Sequence, residues 1–415
     1  MRVLIWTQHF WPENFLINDL AAALARKGHE VTILTGKPNY PEGSVYPGYV
    51  AGGVCHELHD GLRIVRIPIL PRRRGSAMSL ALNYLSFIAS GYIVAPFVLR
   101  KEKFDAVFVY ATSPVLQALP AIFLAWMKRA SMTVWVQDLW PESLRATGFV
   151  RSPMLLSWVG SIVRYIYRRA DSILIQSEAF RASVERLSAQ PGKIHYFPNI
   201  VAAGGHPVAR GTDLGSSEAD LVSEMRRYFA VVFAGNIGRA QSCETILAAA
   251  ERLGSVTDIR FYIVGAGSQA AFIAQEIVRR KLPNVFMTGQ MPALTMPSLF
   301  EATSALLVTL ADDPVLALTV PSKLQAYFAA GKPIVASVNG EAGRVVGAAR
   351  AGLVCGAEDG GALADRVLRL YKMPPEDLAQ LGANGIRYFE QNFDMNARVC
   401  ELSGMLESLQ GRRPA

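Results

Sequence analysis

Short apolar runs alternate with amphipathic stretches through the first half of the chain, a pattern that predicts strands separated by helices. Val3–Trp6 reads as a strand, Phe15–Lys27 as an amphipathic helix stopped by Gly28, and Val31–Leu34 as the next strand. Further strands are expected at Ile64–Ile67, Ala106–Val109, Thr133–Val136 and Ser172–Ile175. Continuous apolar strands between helices imply a parallel sheet covered on both faces. Val201–Ser217 breaks the pattern with Gly, Ala, Ser and Pro207, and opens a linker assigned to 201–228. A second series follows, with strands at Ala230–Ala234, Arg260–Val264, Val285–Met287, Ala305–Thr309 and Ile334–Ala336, and helices at Cys243–Leu253 and Ser268–Arg280. Glu376–Gln410 reads as helical with a break near Asn392–Asp394. The expected fold is α/β: two doubly wound Rossmann-like domains, 1–200 and 229–390, with a terminal helix in 391–415 packing back on the first.

Met78–Leu99 stands outside this alternation. It is uncharged, and it lies between Arg72-Arg73-Arg74 and Arg100-Lys101-Glu102-Lys103. Its length permits a membrane span, but strands on both sides look like members of one sheet, which a single crossing would divide. Two other readings stand beside it: an ordinary core helix, or a segment (72–103) dipping into a membrane interface with its basic flanks toward anionic head groups.

Composition narrows the options. The net charge is +8 and the hydrophobic fraction 51%. A basic excess suits nucleic acid, anionic lipid or anionic metabolites. Long Lys/Arg tracts interleaved with aromatics are missing, so nucleic acid is not expected. Cys55, Cys243, Cys355 and Cys400 show neither metal-ligand nor disulfide spacing, and the chain runs straight into a strand without a secretory leader. A cytoplasmic protein with no metal and no cofactor is the expectation.

The candidate chemistry lies at strand ends. Val320-Pro321-Ser322-Lys323 reads as a loop entering a helix capped by Ser322, with Lys323 in the first turn: an anion site. Gly235-Asn236-Ile237-Gly238-Arg239-Ala240-Gln241 follows a strand, where glycines let backbone amides approach phosphate and Arg239 supplies charge. Two such sites in one half suggest a nucleotide diphosphate. Val264-Gly265-Ala266-Gly267-Ser268 is either a turn passing a nucleobase or a structural turn. Asp312-Asp313-Pro314 can bind sugar hydroxyls or be a solvated turn. In the first half, Asp138 ends a strand, where it can handle a hydroxyl proton or cap the next helix, with Glu142 as the alternative acid. His9, Glu13 and Asn14 follow the first strand, and Asn39 and Tyr40 the second. His9 in such a loop is more often structural than a base.

Together these motifs resemble the retaining nucleotide-sugar glycosyltransferases of family 4. They include Pro12-Glu13, Arg26-Lys27-Gly28-His29-Glu30-Val31, Pro38-Asn39-Tyr40-Pro41, Asp138-Leu139-Trp140-Pro141, Gly235-Asn236-Ile237-Gly238 and Pro321-Ser322-Lys323. The similarity runs over nearly the whole chain. It is greatest to the bacterial surface-polysaccharide branch, which includes colanic acid and O-antigen fucosyl- and N-acetylfucosaminyltransferases. The resemblance implies a GT-B architecture, two Rossmann-like domains facing across a cleft, acceptor on the first and donor on the second. It implies that Gly235, Asn236, Gly238, Arg239 and Lys323 contact the diphosphate, with Asp138 at the sugar. Gln241, Gly265, Gly267, Asp313, Thr319, Ser322 and Gln325 would complete the donor site. His9, Glu13, Asn14, Asn39, Tyr40 and Glu142 would line the acceptor side.

The reaction implied is metal-independent transfer, with retention, from a UDP- or GDP-sugar to a polyprenyl-diphosphate-linked glycan at the cytoplasmic membrane surface. Two departures bear on the donor. Leu318 and Ala326 stand where many family members carry a spaced pair of glutamates, and Gln241 stands where a lysine is common. A nucleotide-sugar 2-epimerase and a non-catalytic partner-binding subunit are the alternative readings.

Overall fold

The computed structural model describes residues 1–72, 77–146, 152–200 and 215–410. The chain divides into two compact units, Met1–Asn199 with Met395–Ala415, and Ile200–Asp394.

The first unit contains strands β1 (Arg2–Trp6), β2 (Glu30–Thr35), β3 (Cys55–His59), β4 (Leu62–Arg66), β5 (Ala106–Ala111), β6 (Ser131–Val136), β7 (Ser172–Ile175) and β8 (Ile194–Tyr196). Their order in the sheet is β3-β4-β2-β1-β5-β6-β7-β8, parallel except for the antiparallel β3–β4 pair. Val3 to Trp6 are fully buried, as a central strand covered on both faces requires. The helices are α1 (Leu16–Arg26), α2 (Ala77–Val98), α3 (Ala118–Lys128), α4 (Glu142–Ala146), α5 (Pro153–Arg169) and α6 (Arg181–Ser188). In α1 the buried Ile17, Leu20, Ala21 and Leu24 recur at helical spacing and seat it on the sheet. The loops after β1, β2, β5 and β6 each hold a cis X-Pro bond, at Pro12, Pro41, Pro114 and Pro141.

The second unit is a fully parallel sheet of β9 (Phe229–Ala234), β10 (Ile259–Val264), β11 (Val285–Gly289), β12 (Ala305–Thr309), β13 (Ile334–Ser337) and β14 (Gly352–Cys355), ordered β11-β10-β9-β12-β13-β14. Its helices are α7 (Ser216–Met225), α8 (Glu244–Arg252), α9 (Ala270–Arg279), α10 (Met296–Ala302), α11 (Lys323–Ala329), α12 (Glu341–Ala349), α13 (Gly360–Tyr371) and α14 (Pro375–Asn392). Strand alternation divides the core in two. Val232 and Leu306 face Tyr327, Phe328 and Phe389, whereas Val231 and Leu307 face Ile246 and Leu363. The last helix, α15 (Met395–Gln410), packs on α1, with His29 Nε2 2.7 Å from Ser403 Oγ.

The structure corrects the sequence reading in three places. The segment 201–228 is not all linker: Ser216–Met225 is a helix whose Val222 and Met225 enter the second core, while 201–214 lie outside the described residues. Strands β3, β8 and β14 were not foreseen. All are sheet edges, short or polar enough to lack the apolar signature. Ser322 does not cap α11. Its backbone is helical (φ −58°, ψ −25°) and its hydroxyl makes no cap bond, whereas a side-chain cap needs extended geometry.

Candidate functional site

In an open parallel sheet, ligands sit beyond the carboxyl ends of the strands where the strand order reverses. The second unit reverses between β9 and β12, which pair side by side. The loop Gly235–Gln241 leaves β9 at that point. It is tied to the end of β12 by Ala311 N–H donating to Ala240 O (2.9 Å) and by the Thr309 hydroxyl donating to Gln241 O.

Lys323 reaches the same point from the first turn of α11. Its Nζ is buried, has no hydrogen-bond partner and lies 3.7 Å from the centroid of the Phe233 ring. A Cβ on Gly235 would stand 3.1 Å from that nitrogen, so the lysine tip lies directly against the turn. Burial pushes the ammonium down to about 8. One turn further along α11, Tyr327 clamps the strand end, its hydroxyl accepting from Ala234 N (2.9 Å) and donating to Ala234 O (3.2 Å). An unpaired buried ammonium is costly. An anion at Gly235 would remove that cost.

The remaining donor-side residues divide by what they already hold. Gly235 N–H donates to Val264 O and Ile237 N–H to Ala266 O, both at 2.9 Å, and Gly238 N–H donates to Gln241 Oε1 at 3.2 Å. These amides are therefore engaged within the protein, and the exposed groups of the loop are the Asn236 and Arg239 side chains. Asn236 Nδ2 also donates to Gln241 Oε1 (3.2 Å), so Gln241 shapes the loop from inside. Gly265 and Gly267 have a steric reason. A Cβ on Gly265 would fall 1.9 Å from Gly235 O, and one on Gly267 2.3 Å from Ile237 O. Gly267→Ala is expected to force the two loops apart at a cost of about 1–3 kcal/mol, read as a lowered midpoint in urea.

Asp313 caps a 3₁₀ turn, its Oδ1 accepting from Val315 N (2.8 Å) and Leu316 N (3.0 Å). Thr319 donates to Leu316 O (2.8 Å) in the same turn. Ser322 is exposed, and Gln325 is buried with its Oε1 unpaired. Asp312 holds Asn339 Nδ2 (2.8 Å), a link the sequence did not suggest.

In the first unit the order reverses between β1 and β5. Gln8 N–H donates to Gln117 Oε1 (2.9 Å) across that gap. His9, Glu13, Asn39 and Tyr40 converge beside it. Glu13 Oε2 lies 2.9 Å from His9 Nδ1, and its Oε1 accepts from the backbone N–H of Asn39 (2.8 Å) and Tyr40 (2.7 Å). A carboxylate only accepts, so His9 Nδ1–H is the donor of this pair when Glu13 carries the charge. Phe15 stacks on the imidazole at 5.1 Å. The Arg72 guanidinium lies over the Tyr40 ring at 5.1 Å. Asn14 is exposed at the rim.

Asp138 follows β6. Its Oδ2 accepts from Ser113 Oγ (2.8 Å), which in turn accepts from Trp140 Nε1 (3.0 Å). The carboxylate is oriented from β5, and among the described residues it caps no helix. Tyr84 of α2, its phenol pushed up by burial, lies within electrostatic reach of Asp138, Arg72 and Tyr40, so these groups share one neighbourhood. Ser113 and Tyr84 were missed because nothing local in sequence marks them. Glu142 turns elsewhere: its Oε1 accepts from Ser183 (2.6 Å) and Arg186 (3.0 Å), at a cavity of about 770 Å³ also lined by Arg145 and Arg164. Among the described residues, no group of three or more His, Cys, Asp or Glu could hold a metal ion.

Two Rossmann-like units with these strand-end loops define the GT-B class of sugar-transferring folds, and comparison with known proteins agrees. Residues 16–200 match the glycosyl transferase 4-like domain and residues 228–373 the glycosyl transferases group 1 domain. WcaI of Escherichia coli K12, named as a colanic acid biosynthesis glycosyl transferase, is 23% identical over 344 residues, covering 80% of this chain and 82% of WcaI. WbjE of Pseudomonas aeruginosa, named as a glycosyltransferase, is 23% identical over 334 residues, covering 79% and 80%. Among solved structures, Anabaena Alr3699/HepE in complex with UDP superposes with a TM-score of 0.69 at 13% identity, covering 98% of this chain and all of that one. Sucrose-phosphate synthase of Thermosynechococcus elongatus gives 0.72 at 17% identity, covering 99% and 100%. The protein is a glycosyltransferase of the family 4 type with the GT-B fold.

Proposed function

We propose that the protein transfers a sugar, of the fucose or N-acetylfucosamine type, from a UDP- or GDP-linked donor to a polyprenyl-diphosphate-linked glycan precursor. The transfer takes place at the inner face of the cytoplasmic membrane, with retention and without a metal. The observation that carries the donor half is the Lys323 ammonium, buried against the Phe233 ring and Gly235 without a hydrogen-bond partner, at the strand-order reversal. The β-phosphate would sit on Lys323, with Arg239 and Asn236 closing over it. As the glycosyl–oxygen bond breaks, negative charge grows on that phosphate, and a fixed cation lowers the barrier most at that moment. Attack from the same face lets the departing phosphate take the acceptor hydroxyl's proton, so the chain needs no nucleophile–base pair. Asp138, held by Ser113, would orient that hydroxyl, and the His9–Glu13 pair would line the acceptor.

The complex of Anabaena Alr3699/HepE with UDP supports a nucleotide donor, and the name of WcaI supports a surface-polysaccharide acceptor. With Leu318 and Ala326 in place of the paired glutamates, ribose recognition falls to other groups around α11, with Gln325, Thr319 and Asp313 the candidates. Incubating the protein with labelled nucleotide sugars and a polyprenyl-diphosphate glycan tests the reading. Label in the organic phase supports it, and label confined to an isomerised nucleotide sugar refutes it. Ser113→Ala should reduce transfer about fivefold by freeing Asp138 to rotate, with donor affinity unchanged in a parallel titration.

A further inference from the structure

The surface of the first unit carries an anomaly that the candidate site does not use. Helix α2 is long and apolar enough to span a bilayer, yet most of it lies on the protein surface. Leu85, Ile93 and Phe97 are 58%, 65% and 71% exposed. The same holds for its neighbours: Trp126 of α3 is 73% exposed, and Met154 and Trp158 of α5 are 83% and 62% exposed. These residues form one surface. Gly91 of α2 lies so close to Pro120 of α3 that a Cβ would stand 2.8 Å from the proline ring. Tyr92 meets Phe123 at 6.0 Å, Phe123 meets Trp126 at 6.1 Å, and α5 packs against α3. Soluble monomers seldom present an apolar patch of this extent.

Charge selects the occupant. Helices α2, α3 and α5 contain no Asp or Glu. Arg164, Arg168 and Arg169 of α5, Arg129 after α3, and Arg100 and Lys101 after α2 are all exposed. Apolar side chains with two indoles and a basic surround match the boundary between head groups and acyl chains.

We propose that α2, α3 and α5 form a single face that lies flat on an anionic phospholipid leaflet, anchored by Trp126 and Trp158. The inference rests on the lipid-linked acceptor proposed above and names the surface that brings the enzyme to it. A span by α2 is excluded by its inner side. Phe87 and Ala95 are fully buried, Asn83 Oδ1 accepts from Gln8 Nε2 (2.7 Å), and Asn83 Nδ2 donates to Leu70 O (2.6 Å). Withdrawing α2 into a bilayer would break all of these contacts. Through Asn83 and Gln8 the leaflet-facing helix is joined to the acceptor-side loop after β1, so docking fixes that loop relative to the lipid surface.

Flotation of the full-length protein with phosphatidylcholine vesicles, with and without phosphatidylglycerol, tests this. The wild type should float with the anionic vesicles at low salt. Its tryptophan emission should shift to the blue and be quenched by brominated acyl chains. Trp126→Ser/Trp158→Ser should lower partitioning by at least about tenfold, and Arg164→Gln/Arg168→Gln/Arg169→Gln should remove the preference for anionic vesicles, while both retain the wild-type thermal shift with UDP or GDP. Failure of the wild type to float, or sedimentation as a dimer that the tryptophan variant dissolves, would overturn the proposal. Flotation by a protein that binds no nucleotide would leave this face standing and sink the transferase reading instead.

Discussion

Replacing Lys323 by methionine will lower sugar transfer by about two orders of magnitude and will raise the thermal unfolding midpoint at neutral pH. Both effects have one origin. The ammonium tip is buried against Phe233 and Gly235 without a hydrogen-bond partner, and burial pushes it down to about 8 from 10.5. Between those two values the unfolded chain holds a proton that the folded chain has released, so stability rises with pH across that window. Below about 8 both states are charged and the full penalty, about 3 kcal/mol, opposes folding. Methionine fills similar space without the charge, so the variant's advantage should be largest near pH 7 and vanish by about pH 10.5. Donor binding runs the other way. A diphosphate favours the charged lysine, so wild-type affinity should weaken as pH rises past about 8, while the variant stays weak and flat. Melting curves and nucleotide titrations across this range check both parts. A methionine variant less stable than wild type at pH 7 would show that the buried ammonium does not oppose folding.

Asp138→Asn should lower transfer by about two orders of magnitude while leaving nucleotide affinity within about twofold of wild type. The carboxylate belongs to the first unit, beside Ser113, Tyr84 and Tyr110. The amide retains a carbonyl oxygen for the Ser113 hydroxyl but, being neutral, holds the acceptor hydroxyl less firmly in line with the departing phosphate that takes its proton. A turnover defect with intact donor binding is therefore the expected signature. Loss of nucleotide affinity instead would place Asp138 at the donor.

Much of this was legible before any coordinates. The central strands announce themselves because burial on both faces demands unbroken apolar runs such as Val3–Trp6 and Ala305–Thr309, the latter matching β12 residue for residue. As candidates, the Gly235 loop and Asp138 stood out because they follow strands, where such sheets keep their ligands, and Lys323 because it opens a helix. Edges were not legible: Cys55-His56-Glu57-Leu58-His59 alternates charge and exposure, as an edge must, and resembles a loop. Partners distant in sequence were hidden too. Ser113 lies 25 residues from Asp138, and Asn83 lies 75 from Gln8. The Gly265–Gly267 pair resembles a nucleotide turn, and only the approach of Gly235 and Ile237 supplies its packing reason. Ser322 was misread because a Ser before a helical run is the usual cap, whereas here the chain is already helical at that residue.

The most direct test of the central claim is calorimetric titration of UDP and GDP into the wild type and Lys323→Met at pH 8.5, in buffers of differing ionisation enthalpy. A nucleotide diphosphate should bind the wild type with net proton uptake, as the lysine recharges against the phosphate. The variant should bind at least about hundredfold more weakly and without proton uptake. Equal affinity and equal proton exchange in the two proteins would show that the diphosphate does not rest on Lys323.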